Sequence, residues 1–325
     1  MTQSETTPEE SVPEQTEHVP AYRRLLEKRA QPLPGHVQMI VTVVMLVGLV
    51  VASVWAWRSA HLQFDTINWV AIAVAFFVAA PVTVVLKMLE YGAAARLIGS
   101  RAAPRHALEV AVLSSAANLL PLPGSLLVTT RSLSEKGATY GEAAMASAIP
   151  GLAWLGLAGV IGGVAIGVAG SPLIGAVVTL GGIGVLLVGG TMFRRSAPTE
   201  GRVRLALWIG AIEGSWILIS GFRLWLVLEA IGVSATPAQS LALALAGAMS
   251  VAIGFFPAGI GAREALIALL SPIIKLPLSE GVVLGVIDRV VWVTFLALAA
   301  LFIVVARART RSAVEAAAAD ASAGA

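Results

Sequence analysis

The sequence contains no cysteine and few charged residues, and both shortages restrict the kind of protein it can encode. Without cysteine the chain forms no disulfide, has no thiolate nucleophile and ligates no iron–sulfur cluster. Charged residues make up only 13% of the chain, whereas soluble domains contain roughly 25%. Hydrophobic residues make up 57%, and the mean hydropathy is +0.85. This composition is typical of a polytopic membrane protein.

Histidine is scarce as well, and basic residues occur mainly in short loops. The four histidines lie outside the apolar runs or at their edges: His18, His36, His61 and His106. A histidine-ligated metal within those runs is therefore not expected, nor is any other cofactor. The net charge of +3 is small, so the basic loops indicate topology rather than nucleic-acid binding.

The two ends of the chain are polar or Ala-rich and differ from the apolar middle. Residues 1–20 are acidic and contain no Lys or Arg, the opposite of the basic start of a signal peptide. We expect residues 1–30 and 312–325 to be disordered cytosolic tails. Residues 31–311 are expected to form one integral membrane domain, with no large soluble catalytic domain at either end.

Six apolar runs are long enough to cross a membrane, which takes about 20 residues. They are 37–57, 67–89, 142–169, 172–193, 204–230 and 280–306. Two further runs, 106–130 and 238–275, are interrupted by proline and glycine in NLLPLPGS and FFPAGIG. The second is too long for one helix and too short for two spans with a loop.

Positive charge in the connections predicts the orientation of the spans. Basic residues occur within 23–29, 96–105, 131–136, 194–204 and 307–311. The alternate connections, which include AGSP, IGVSATP and KLPLSEG, hold only Arg58 and Lys275. All basic connections face one side only if each broken run is a re-entrant hairpin, one entering from each face. The sequence therefore predicts an all-α membrane protein with about six spans, two opposed re-entrant hairpins and both termini in the cytosol.

The same arrangement predicts an inverted repeat. Span 67–89, run 106–130 and span 142–169 form one triplet, and the second triplet is 204–230, 238–275 and 280–306. Residues 172–193 connect them. Secondary transporters often have this organisation, with the substrate site where broken helices meet at the midplane.

A glycine every fourth residue indicates close helix packing within the apolar middle. Gly159, Gly163 and Gly167 form a small-residue ridge, which we expect to contact the glycine-rich segment 181–190.

The segment GFFPAGIGAREALIALL, residues 254–270, contains the main candidate site. Irregular backbone at membrane depth is tolerated only where protein buries it or water reaches it. Pro257, Gly259 and Gly261 break the helix, and a half-helix after them would direct its free N–H groups inward. Arg263 adds a fixed cation, which predicts binding of a phosphate-like headgroup.

Other charges in the apolar runs need partners, because an unpaired charge at the bilayer centre costs about 2.5–3.5 kcal/mol. Glu264 follows Arg263 directly and so faces elsewhere on the helix. Arg289 either neutralises Glu264 or binds an anionic headgroup, and Asp288 is a candidate partner for Arg263. Glu213 is either a proton-coupling group or an ion-pair partner of Arg263 or Arg289.

The remaining charges are expected to be structural. Arg223 and Glu229 should extend to the membrane interface. Lys87 and Glu90 should form an i,i+3 pair in interfacial water. Arg131 is either a topology charge or a headgroup contact.

The motif around Arg263 resembles the lysylphosphatidylglycerol synthase transmembrane region, a flippase-like membrane protein family. Its members have P-G-G-[IL]-G-x-R-E near the C-terminal end and an arginine some 25 residues later. The matching residues here are Pro257, Gly259, Ile260, Gly261, Arg263, Glu264 and Arg289, with Ala258 in place of one glycine. An earlier family motif, N-x-x-x-P-G-R-x-G-E-x-x-R, is only partly kept: Pro123, Gly124 and Arg131 fit, whereas Ser125, Leu127 and Val128 replace its basic, glycine and acidic positions.

This resemblance implies movement of a phospholipid or polyprenyl-phosphate-linked lipid between leaflets of a bacterial or archaeal plasma membrane. The expected partners are the bilayer and an anionic headgroup, and a homo-oligomer is compatible with the sequence. The alternatives are a non-transporting scaffold or regulator of envelope lipid synthesis, and an intramembrane lipid-modifying enzyme. The sequence argues against an enzyme, since Ser114, Ser115 and Ser125 have no evident base nearby and no catalytic residue stands out.

The topology predicts that residues 99 and 136 lie on the same side of the membrane. Gly99→Cys and Lys136→Cys, introduced singly into a chain without cysteine, should react with a membrane-impermeant thiol reagent from the same side. Labelling from opposite sides would make run 106–130 an ordinary span and exclude the inverted repeat.

Overall fold

The computed structural model describes residue 58 and residues 64–118, 124–253 and 262–323. Apart from a 3₁₀ turn at Phe64–Thr66, the regular elements in these ranges are α1 (Trp69–Leu97), α2 (Pro104–Ala117), α3 (Gly124–Ser134), α4 (Tyr140–Ala169), α5 (Pro172–Ser196), α6 (Arg202–Ala230), α7 (Pro237–Ile253), α8 (Ala262–Ile273) and α9 (Leu278–Ala323). Every regular element in this part of the chain is helical, which confirms the all-α prediction for it.

Five helical segments are long and apolar enough to cross a membrane: α1, α4, α5, α6 and residues Leu278–Ala306 of α9. They confirm five of the six predicted spans. The sixth, 37–57, lies outside the described residues, as does the predicted tail 1–30. At the other end a disordered tail was expected over 312–325, but α9 continues to Ala323. Alanine has the highest helix propensity, so this Ala-rich segment extends the helix.

Local sequence explains where several helices begin or change geometry. Thr139 and Glu142 form a reciprocal capping box at the start of α4. Ser171 accepts a hydrogen bond from the Ile174 backbone N–H and so caps α5. Within α1 a π-helical turn, Ala75–Ala79, directly precedes Pro81, which cannot donate a backbone hydrogen bond to the preceding turn.

Glycine allows α4 and α5 to pack with their backbones almost in contact. A Cβ atom added at Gly159 would lie 2.7 Å from the Cα of Gly182, and one added at Gly163 would lie 2.6 Å from the Thr179 N. One added at Gly182 would lie 2.6 Å from the Val160 N and 2.7 Å from the Gly156 O. The predicted contact between the glycine ridge of α4 and segment 181–190 is therefore confirmed.

The two interrupted runs each form a pair of short helices that pack against each other, α2 with α3 and α7 with α8. Their lengths are 14, 11, 17 and 12 residues, so no single one reaches the span length of about 20. The breaks themselves, 119–123 and 254–261, lie outside the described residues.

A hydrogen bond connects the beginning and the end of each short pair, and Gln239 of the second pair lies in the first turn of α7. The Lys136 Nζ after α3 donates to the Arg101 carbonyl before α2 at 3.1 Å. Around the other pair, the Gln239 Nε2 donates to the Ile274 carbonyl after α8 at 2.8 Å.

The largest apolar core lies between α4, α6, α7, α8 and α9. Its fully buried side chains include Ile166, Leu224, Leu243, Ile267 and Leu284. These helices surround the buried charges described below.

The glycine contact between α4 and α5 can be tested with two neighbouring substitutions. Gly182→Ala forces a methyl group against the α4 backbone, and overpacking of this kind costs about 1–3 kcal/mol. The free energy of unfolding in detergent should therefore fall by that amount. Gly181→Ala is the matched control, because a Cβ atom at Gly181 meets nothing within 4 Å. Equal stability of the two variants would contradict the packing.

Candidate functional site

Five charged side chains from three helices meet in a buried group, here called the charge cluster. Its members are Arg223 of α6, Arg263 and Glu264 of α8, and Asp288 and Arg289 of α9. Asp288 lies ten residues into α9, about 15 Å along its axis. Arg263 and Glu264 lie in the first turn of α8.

Asp288 is the centre of the cluster and is fully buried. The Arg223 Nε donates to the Asp288 Oδ1 at 2.6 Å, and the Arg223 Nη2 donates to Oδ2 at 3.3 Å. The Arg263 Nη2 lies 2.6 Å from the same Oδ2. One carboxylate therefore pairs with two guanidinium groups and ties α6, α8 and α9 together.

Aromatic and glycine residues shape the space around the two guanidinium groups. The Arg223 Cζ lies 5.1 Å from the centroid of the Trp292 ring, a cation–π distance. Trp292 is four residues after Asp288, so both side chains face the same direction from α9. A Cβ atom at Gly247 of α7 would lie 3.7 Å from the Arg263 Nε, so α7 passes beside Arg263.

Glu264 and Arg289 form the second part of the cluster. The Arg289 Nε lies 3.5 Å from the Glu264 Oε1, and the Glu264 side chain is buried. A Cβ atom at Gly285 would lie 3.2 Å from the Glu264 Cα. Glycine at this position of α9 allows α8 to approach closely enough for the pair to form.

The cluster carries an excess of positive charge. Three arginines and two acidic residues give a net charge of +1 (3 − 2). Asp288 and Glu264 are 0% and 4% exposed in their side chains, whereas Arg263 and Arg289 are 13% and 14% exposed. The accessible edge is therefore cationic, and the N-terminus of α8 adds a partial positive charge there. Such an edge is suited to an anionic group.

The structure confirms two of the pairings predicted within the cluster and overturns the prediction for Arg223. Asp288 does contact Arg263, and Arg289 is paired with Glu264. The expectation that Arg223 extends to the interface is wrong, since Arg223 is buried and bound to Asp288. The position of Arg223 near the end of its apolar run predicts a location near the membrane surface, but its partner Asp288 on α9 keeps the side chain buried. An ionisable residue within an apolar span is itself a signal of an internal partner, and this signal could have identified Arg223.

Glu213 lies outside the charge cluster. Its carboxylate is buried and makes no hydrogen bond. The charges that act on it electrostatically are those of Glu90 and Lys87. Of the two alternatives predicted for Glu213, the ion pair with Arg263 or Arg289 is therefore wrong, and the proton-coupling role stays a prediction. The predicted pair of Lys87 and Glu90 is confirmed at 2.7 Å, although their side chains are only 13% and 12% exposed, more buried than expected.

The other predicted site residues are not brought into the cluster. Arg131 is exposed and forms an ion pair with Glu135 at 3.2 Å, so it lies apart from these buried charges. Pro257, Gly259 and Gly261 lie outside the described residues. Among the residues that the structure describes, no three or more His, Cys, Asp or Glu side chains are grouped as metal ligands would be.

No protein-family model matches the chain, and no curated protein matches it. The resemblance to the flippase-like family therefore stays a prediction, carried by the motif residues alone.

The role of Asp288 as the centre of the cluster can be tested by Asp288→Asn. The substitution keeps the shape but leaves Arg223 and Arg263 without their counter-charge, and breaking a buried pair in this way costs about 3–5 kcal/mol. The midpoint of chemical unfolding in detergent should fall accordingly. Glu135→Gln, which breaks the exposed pair with Arg131, is the control and should cost less than about 1 kcal/mol. A loss for Asp288→Asn no larger than that of the control would contradict the assignment.

Proposed function

We propose that this protein moves an anionic phospholipid or a polyprenyl-phosphate-linked lipid between the leaflets of a bacterial or archaeal plasma membrane. The observation that carries the proposal is the charge cluster, a buried group with a net positive charge at the first turn of a short helix. In an otherwise apolar protein, ionisable residues within the helices mark a substrate or ion pathway by default. The chain would act as a transporter and not as an enzyme.

We propose further that α2 with α3 and α7 with α8 are re-entrant hairpins of opposite polarity. In support, each pair consists of helices too short to span, and a hydrogen bond joins the beginning and the end of each pair. A hairpin pair that enters and leaves by one face keeps the basic connections on the cytosolic side, with both termini cytosolic. The two triplets would then form an inverted repeat, the architecture of many secondary transporters.

Arg263 is the proposed headgroup ligand. One of its Nη atoms binds Asp288, and its planar guanidinium has further N–H donors that can grip two phosphate oxygens together. Asp288 holds the group in position, and the N–H groups at the start of α8 point in the same direction as the helix dipole. Arg289 is the second partly accessible cation beside the site.

The alternative is a non-transporting scaffold in which these charges only hold helices together. It is favoured by the internal pairing, because Asp288 is bound by two arginines and Glu264 is paired with Arg289. Transport and scaffold differ in whether the chemistry of Arg263, rather than only its charge, affects lipid movement.

The two functions are separated by an assay of lipid movement in reconstituted vesicles. A fluorescent phosphatidylglycerol analogue reports transfer between leaflets as it becomes accessible to a membrane-impermeant quencher. Arg263→Lys should slow transfer roughly 10- to 100-fold, because lysine keeps the charge but loses hydrogen bonds worth about 1.5–3 kcal/mol to a charged headgroup. Arg263→Ala should be at least as slow.

Arg105→Lys is the matched control for this experiment, since Arg105 is exposed and paired only loosely with Glu109 at 3.7 Å. It should transfer lipid like the wild type. Thermal unfolding and size-exclusion chromatography show whether each variant is folded before its rate is compared. Wild-type transfer by folded Arg263→Lys and Arg263→Ala would overturn the site, and no transfer by any form would favour the scaffold.

A further inference from the structure

A second group of charged side chains lies between α1 and α6, away from the charge cluster. Glu213 is ten residues before Arg223 on α6, a separation of about 15 Å along the helix. Its residue exposure is 1%, and neither carboxylate oxygen has a hydrogen-bond partner. An ionised carboxylate without donors is among the most unfavourable groups to bury, whereas its protonated form is neutral.

Lys87 and Glu90 of α1 face this carboxylate. The Lys87 Nζ donates to both Glu90 oxygens, at 2.7 and 2.9 Å. The same ammonium lies 5.1 Å from the centroid of the Trp216 ring. Trp216 is three residues after Glu213 and shares its face of α6, so Lys87 lies beside that face. The Lys87 side chain is long and flexible, and its ammonium can form an ion pair with either acid.

The helices with the most extensive contacts to α6 are α1, α4, α7 and α9, and the other ionisable groups among their described side chains are at helix ends or engaged elsewhere. Four of them lie in terminal turns, namely Arg96, Tyr140, Glu142 and Glu280. The others have partners: Tyr91 is hydrogen-bonded to Ser132, Asp288 is paired with Arg223, and Arg289 is paired with Glu264. The described part of α7 contains no ionisable residue. Lys87 and Glu90 are therefore the charges that control Glu213.

We propose that Glu213 carries a proton in this structure and that, after losing it, Glu213 competes with Glu90 for the Lys87 ammonium. The proton passes to water and no other bond is made or broken. The carboxylate formed at Glu213 then attracts Lys87, and Glu90 loses its partner. Because Lys87 and Glu90 belong to α1 and Glu213 to α6, the exchange changes the attraction between two apolar helices.

A cavity lies beside the first half of α6, at the end of the helix that is nearer to Glu213. It has a volume of about 650 Å³ and is lined by residues that include Arg96, Glu200, Arg204, Trp208 and Ala211. Ala211 precedes Glu213 by two residues, about 3 Å along the helix axis but on another face of α6, so Glu213 itself does not line the cavity. Arg204 and Arg96 mark this end of the helices as the basic one, so the proton would exchange with the cytosolic side. A role for this proton in driving lipid movement rests on the function proposed above, whereas the proton site itself does not.

Infrared spectroscopy of the purified protein tests the proton site directly. A protonated carboxyl group has a carbonyl stretching band that a carboxylate lacks and that shifts in heavy water. The difference spectrum between the wild type and Glu213→Gln at neutral pH should contain this band. The difference between the wild type and Glu135→Gln, an exposed acid, should not. A wild-type spectrum without the Glu213-dependent band would overturn the proposal.

Two variants that retain Glu213 test the competition for Lys87, and they decide the proposal even if Glu213→Gln does not fold. In Glu90→Gln, Lys87 is released to pair with Glu213, so the band should disappear at lower pH than in the wild type. In Lys87→Met the cation is gone, so the band should persist to higher pH. Unchanged titration in both variants would overturn the competition. These spectra do not involve lipid transfer, so a protein with the band but without transfer would contradict only the proposed function.

Discussion

The penalty for a charge without a counter-charge inside an apolar helix array governs the arrangement of α6, α8 and α9. Asp288 binds Arg223 and Arg263 through its two oxygens, and the neighbouring residue Arg289 is paired with Glu264. Removing Asp288 would leave Arg223 and Arg263 buried without their counter-charge, which costs more than the pairs contribute. The three helices are consequently fixed at one depth and in one rotation about their axes. Their apolar side chains then pack around the cluster.

Small residues make this electrostatic arrangement sterically possible. Gly285 allows α8 to approach α9 at Glu264, and Gly247 leaves room beside Arg263. Between α4 and α5, glycines bring two backbones close together without any charge. In hydrocarbon there is no hydrophobic force between helices, so close contact of this kind and internal polar pairs supply the association.

Helix α6 connects the two polar regions of the protein. Arg223 faces the charge cluster, and Glu213 faces Lys87 and Glu90 of α1. The buried acids of these two regions differ in their polar contacts: Asp288 receives three, whereas the Glu213 carboxylate receives none. A cluster whose charges are paired provides rigidity, and an unpartnered acid provides a group whose charge can change. A displacement of α1 relative to α6 would therefore be transmitted to the charge cluster through a single helix.

The sequence by itself determined the elements that depend on composition along the chain. Long apolar runs predicted five of the observed helices, the prolines and glycines at 119–123 and 254–261 predicted where short pairs replace spans, and the glycine spacing in α4 predicted its contact with α5. These features are local, because hydrocarbon thickness and backbone hydrogen bonding act on each segment separately. Which charges meet was decided only by the tertiary structure. Arg223 and Asp288 are 65 residues apart in the sequence. The rotation of α6 about its axis separates Glu213 from Arg263 and Arg289, and the spacing of residues within one helix does not determine that rotation. That rotation follows from packing against four neighbouring helices at once, and so the buried pairs, the unpartnered acid and the cationic edge of the site belong to the fold as a whole.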